Sequence, residues 1–79
     1  MAAEVEEFIG RNSEFFITDD INVVHVMKID DNTFQIEFGL LGKRYTISIS
    51  REELIAAISK REPKIEKDTI HIGYVFSMV

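Results

Sequence analysis

Apolar residues in the first sixteen positions of the chain recur at helical spacing. Their separations of about three, four and seven residues place them on one stripe of a helix. The members of this stripe are Val5, Phe8, Ile9, Phe15 and Phe16. The pattern predicts a helix from about Ala2 to Phe16. Gly10 is a candidate break, after which a short turn over residues 13–17 would carry the phenylalanine pair.

The middle of the chain alternates in the manner of β-strands. The segment NVVHVMKI, residues 22–29, is rich in β-branched side chains and is largely apolar on both faces. Residues 33–40 and 44–49 alternate apolar with polar positions, and turn sequences lie at residues 30–32 and 40–43. These features predict an antiparallel meander of three strands.

A capping box marks the start of a second helix. Ser50 is followed three residues later by Glu53, so the serine hydroxyl can accept the Glu53 amide while the glutamate reaches back to the Ser50 amide. Pro63 disfavours helical backbone at the residue before it. We therefore expect a helix from about Arg51 to Arg61, followed by a charged connector.

The last segment, TIHIGYVFSMV, contains no Asp, Glu, Lys or Arg. We predict that it forms a closing strand, in which Ile70, Ile72, Tyr74 and Phe76 suit a core face. The odd positions of the same segment are also much less polar than the outer positions of the two preceding strands. An apolar second face on this strand needs an explanation.

These elements predict one α+β domain over residues 1–79. The expected order is α-β-β-β-α-β, with an antiparallel sheet that carries both helices on one face. A chain of this length buries only about 60% of its unfolded surface, and without cysteine it has no disulfide to support a thin core. The predicted core consists of Phe8, Phe15, Leu54, Ile58, Phe34, Ile36, Phe38, Tyr45, Ile47, Ile49, Ile70 and Ile72.

Three explanations account for the apolar outer positions of the first and last strands. Exposed apolar surface at the centre of a sheet is ordinary in folded proteins. A homodimer would cover it, either across the open face or by pairing the C-terminal strands edge to edge. A groove for a peptide or ligand is the third. The residues of this interaction hypothesis are Val24, Val26, Val75, Ser77 and Val79.

Charge is unevenly distributed along a chain whose net charge is −5. Residues 1–20 hold six acids and one base, and residues 43–67 hold seven bases and four acids. Each of these two charged segments is a candidate surface for docking a partner of opposite charge. The alternative is that both are ordinary solvated helix faces. The acidic surface comprises Glu4, Glu6, Glu7 and Glu14, and the basic patch comprises Lys43, Arg44, Lys60, Arg61, Lys64 and Lys67.

The chemistry-bearing residues do not form a recognised catalytic or metal-binding pattern. His25 and His71 would need to meet in space, with a carboxylate, to hold zinc, and neither has a partner at a metal-ligand interval. The acidic pairs at residues 19–20 and 30–31 are typical of turns and lack the spacing of a calcium loop. With no cysteine and no serine elbow, we expect no enzyme, no metal and no cofactor.

The order of helix, three-strand meander and helix over residues 2–61 resembles that of the double-stranded-RNA-binding domains. That resemblance implies binding of RNA through a basic surface beside the last helix. Here the start of that helix reads SREEL, and the glutamates Glu52 and Glu53 would repel phosphate. Nucleic-acid binding through the basic patch is therefore the alternative interpretation.

The sequence favours a non-catalytic protein–protein interaction domain that associates with itself as a homodimer. An unidentified protein partner is the second possibility for its surfaces. We see neither a basic leader nor an apolar stretch long enough to span a membrane, so we expect a cytoplasmic protein.

Overall fold

The computed structural model describes residues 2–78. Six strands form one sheet, and two helices lie together on one of its faces. A 3₁₀-helix is the last described element. The elements are α1 (Ala2–Arg11), β1 (Glu14–Thr18), β2 (Val23–Asp30), β3 (Thr33–Leu40), β4 (Lys43–Ser50), α2 (Arg51–Ser59), β5 (Lys64–Glu66), β6 (Thr69–His71) and the 3₁₀-helix (Val75–Met78).

The strands lie in the order β4-β3-β2-β1-β6-β5, and every neighbouring pair is antiparallel except β1 with β6. The predicted fold class is confirmed, because both helices pack on one face of a mostly antiparallel sheet. On that face the ring of Phe8 from α1 lies 5.1 Å from Phe15 of β1, which in turn meets Phe34 of β3. Leu54 and Ile58 of α2 are buried in the same core.

The first helix is shorter than the prediction, and the phenylalanine pair belongs to a strand. Helix α1 ends at Arg11, where both the backbone amide and the side-chain amide of Asn12 donate to the Phe8 carbonyl. Phe15 and Phe16 then lie in β1, with Phe15 in the core and Phe16 on the opposite face. Strand β1 separates α1 from the meander, so the order shared with double-stranded-RNA-binding domains does not hold.

The predicted meander and the capping box of α2 are confirmed. Strands β2, β3 and β4 pair in sequence. The Ser50 hydroxyl accepts the Glu53 amide at 3.1 Å, while the Glu53 carboxylate accepts the Ser50 amide. Helix α2 ends at Ser59, close to the expected Arg61.

The closing strand is much shorter than predicted. Strand β6 ends at His71, and the connector expected before it contains β5, which pairs with β6 as a hairpin. Beyond Gly73 the chain turns over the helix-bearing face of the sheet, so Val75 is buried while Tyr74 is 58% exposed. This tail, residues 72–78, packs over part of the hydrophobic core.

The faces of β2 are assigned differently from the sequence interpretation. Val24 and Val26 point into the core, whereas Val23, His25 and Met27 lie on the open face, the side of the sheet that carries neither helix. Among residues 2–78, neither helix is long and apolar enough to cross a membrane.

Candidate functional site

The interaction residues predicted from the sequence do not form an exposed surface. Val24 is 1% exposed, and Val26 and Val75 are fully buried, so their expected place on the open face is wrong. Ser77 is exposed and its hydroxyl accepts a hydrogen bond from Arg61. Val79 lies outside the described residues.

Pairing of the C-terminal strand with a second copy is also contradicted as a route to a dimer. Strand β6 pairs with β1 on one side and with β5 on the other. Both of its sides are therefore occupied within one chain. Of the two dimer interfaces considered from the sequence, only the open face of the sheet remains.

His25 is at the centre of the open face and lies between two carboxylates. Its Nε2 is 2.6 Å from Glu14 Oε2 of β1, and its Nδ1 is 3.2 Å from Glu37 Oε1 of β3. Strand register places the three residues in one row across the strands. Glu37 is directly opposite His25 on β3, and Glu14 is diagonal to His25 on β1. The ring of Phe16 stacks on the imidazole with centroids 5.1 Å apart.

The two glutamates raise the pKa of His25. The hydrogen bond with Glu37 contributes most, and the bond and charge of Glu14 add to it, against the opposing effect of desolvation. Both ring nitrogens donate when the imidazole is charged, so each carboxylate receives a proton donor. The row then holds one positive charge between two negative charges in the middle of the face.

This cluster is not arranged as a metal site. The carboxylates approach opposite nitrogens of one imidazole ring and do not converge on a common point. In residues 2–78 no group of three or more side chains is suitably placed to hold a metal ion. His25 and His71 do not meet, because β1 lies between their strands, and His71 faces Asp20 at 3.5 Å instead.

Apolar side chains surround the histidine row. Val23 is 60% exposed and Phe16 is 37% exposed, while Met27 is half-buried. Val23 and Met27 flank His25 at alternate positions of β2, and Phe16 is opposite His25 on β1. Ile29, which is 54% exposed, lies at the bulge that interrupts the pairing of β2 with β3. The open face thus presents an apolar strip along one strand.

The open face carries charges of both signs. Strand register places four carboxylates there, together with two permanent cations and two imidazoles. The carboxylates are Glu14, Asp30, Glu37 and Glu66, the cations are Arg44 and Lys64, and the imidazoles are His25 and His71. With His25 protonated, four negative and three positive charges leave this face nearly balanced, whereas the chain as a whole has a net charge of −5.

The acidic surface and the basic patch are arranged differently from the prediction. Glu4, Glu6 and Glu7 are exposed on α1, but Glu14 lies on β1 and pairs with His25. Lys43 and Arg44 lie on β4, at one edge of the sheet, whereas Lys64 and Lys67 belong to the β5–β6 hairpin at the other edge. Lys60 and Arg61 follow the end of α2.

The basic patch is therefore split. Five strand spacings separate β4 from β5, which corresponds to roughly 24 Å. The nucleic-acid interpretation rested on these bases forming one surface, and it loses that support.

Sequence reasoning missed Phe16 and Glu37 as members of the site. Glu37 was predicted on the outer face of its strand. The sequence interpretation put Val24 and Val26 on the outer face of the neighbouring strand, which placed His25 on the opposite side from Glu37. Phe16 was hidden because β1 was taken for helix. Comparison with known proteins adds no assignment: no family model, no curated protein and no solved structure matches the chain.

Proposed function

We propose that the protein is a non-catalytic interaction domain that associates with itself through the open face of its sheet. The observation that supports this proposal is the combination of an exposed apolar strip with nearly balanced charge on that face. Two copies of a chain with a net charge of −5 repel each other at most orientations. The open face is where apolar surface can be buried with little of that repulsion.

The dimensions of the molecule leave room for a flat interface of standard size. The two longer dimensions are 35 and 26 Å, so the projected area of any flat face is at most roughly 900 Å². A standard protein interface buries about 800 Å² on each partner. Self-association also meets the need of a small chain without disulfides for additional burial. A cytoplasmic setting for this dimer remains a prediction from the sequence.

Light scattering across a concentration series tests the proposal. The Val23→Lys/Met27→Lys variant places two further charges on the apolar strip. Val23 is more than half exposed and Met27 is half-buried at the surface, so the monomer fold should be retained. Leu41→Lys is the matched control, since Leu41 is 93% exposed in the turn between β3 and β4. We expect a dimer for the native chain and the control, and a monomer for the double variant.

Two outcomes would contradict the proposal. A native chain that remains monomeric at millimolar concentration would exclude self-association. A dimer that the double variant leaves intact would place the interface elsewhere. Thermal melts of all three chains, followed by circular dichroism, check that each is folded.

A further inference from the structure

A second exposed apolar surface lies on the helix-bearing side of the sheet, away from the open face. Four aromatic rings meet there in sequence: Tyr45 stacks on Phe38 at 5.4 Å, Phe76 contacts Phe38 edge-on at 5.8 Å, and Tyr74 contacts Phe76 at 6.1 Å. With Leu40 they line a groove of about 400 Å³. We call it the aromatic groove.

The aromatic groove lies at the end of β3 and β4 that is joined by the turn at Leu41 and Gly42, whereas α2 begins after Ser50 at the other end of β4. The tail places Phe76 against Phe38 of β3. Tyr45 is consequently 39% exposed and Leu40 41% exposed, although both occupy inward positions of their strands. Two side chains on the helix-bearing face of the sheet, Leu40 and Tyr45, are thus partly exposed to solvent.

Strand β4 beside the groove has a free edge. It pairs with β3 on one side, and within residues 2–78 no strand lies on its other side. At eight residues it is as long as any strand of the sheet, and it contains neither proline nor a bulge. Such an edge presents unpaired amides and carbonyls that an extended segment can join as a further strand.

The charge around this edge selects the partner. The two segments that form the groove and the edge, residues 38–50 and 72–78, contain two bases and no acid. Lys43 pairs with Leu40 and lies on the groove side of the sheet, whereas Arg44 projects from the open face. A strand added to β4 would therefore meet a cation near the start of β4 on either face.

We propose that the β4 edge and the aromatic groove together bind an extended acidic peptide segment of another protein. The peptide pairs with β4 as a seventh strand. One of its apolar side chains lies beside Tyr45 and enters the aromatic groove, and its carboxylates face Lys43 and Arg44. This site is separate from the open face and does not depend on self-association there.

A phage-displayed library of random decapeptides, selected on the immobilised full chain, tests the proposal without assuming a sequence. We expect enriched peptides that alternate apolar with Asp or Glu residues. The enriched peptide is then synthesised with a fluorescent label, and its affinity is measured by anisotropy. Backbone amide shifts in a ¹⁵N spectrum locate where it binds, and we expect them on residues 43–50.

Two variants and one control complete the test. Tyr74→Ala removes an exposed ring of the aromatic groove and Lys43→Glu reverses the charge, and each should weaken binding roughly tenfold. Ile21→Ala, in the exposed turn between β1 and β2, should leave affinity unchanged. Absence of any enriched peptide, enrichment of basic peptides, or unchanged affinity in both variants would overturn the proposal.

Discussion

Asp19 Oδ2 accepts a hydrogen bond from the backbone amide of Val75 at 2.8 Å, across 56 positions of sequence. The other carboxylate oxygen accepts the amides of Ile21 and Asn22, in the turn between β1 and β2. One buried side chain thus closes that turn and also anchors the tail. These three bonds, the one from Val75 foremost, hold the pKa of Asp19 far below its usual range.

Asp19→Asn should destabilise the domain, because an amide oxygen carries no charge and its nitrogen cannot accept these donors. We expect the Tm to fall by about 5 °C or more at pH 7. Asp20→Asn is the matched control, since the Asp20 side chain is almost fully exposed, and its Tm should change little. Equal melting of the two variants would contradict the anchoring role of Asp19.

The same carboxylate predicts a pH dependence at the acid end. A group whose pKa is lower in the folded state stabilises the fold above its unfolded pKa, and this contribution is lost as the pH falls. The stability difference between the native chain and Asp19→Asn should therefore be full above roughly pH 4 and shrink below it. Urea unfolding at a series of pH values measures this difference. A difference that persists unchanged to pH 2 would contradict the prediction.

His25 predicts a pH dependence of opposite sign. Its pKa is raised in the folded state, so its contribution is complete below roughly pH 6.5 and disappears as the pH rises through the folded value. Glu37→Gln should lower the His25 pKa, as measured from its ring proton by NMR. Glu66→Gln, on the same face but in β5, should not. A titration identical in both variants would exclude the Glu37 contact.

Leu41 predicts a stabilising substitution. It occupies the first position of the two-residue turn between β3 and β4 with φ of 52°, where a side chain other than Asn or Gly is strained. Leu41→Asn should raise the free energy of unfolding by about 0.5–1 kcal/mol. Leu41→Ala lacks the short polar side chain by which Asn tolerates the left-handed conformation, so it should not reproduce the gain in urea unfolding.

Phe15 and Phe16 provide a matched test of strand β1. Phe15 is fully buried and Phe16 is 37% exposed, so Phe15→Leu should cost about 1–2 kcal/mol and Phe16→Leu clearly less. Urea unfolding compares the two variants. Similar losses at both positions would be inconsistent with a strand that buries only one of them.

Much of the fold was predictable where a local pattern had only one interpretation. The strict alternation of β3 and β4 and the capping box at Ser50 were sufficient to place the meander and the start of α2. Phe15 and Phe16 were ambiguous, because adjacent apolar residues after a helical stripe fit either a continuing helix or a short buried strand. Of the candidate site, only Glu37 was predicted outward on its strand. Its contact with His25 required both the facing of β2, which a strand apolar on both sides leaves undecided, and the register of the hairpin.

The sequence by itself determined the α+β class, the three-strand meander, the capped second helix and the distribution of charge. Each of these depends on neighbouring residues and on periodicity. Only the tertiary structure decided that β1 inserts between β2 and β6, that Val24 and Val26 face inward, and that the tail leaves the sheet after Gly73. The physical reason is that these features depend on partners far apart in sequence, such as the pairing of Phe16 with Thr69 and the bond from Val75 to Asp19.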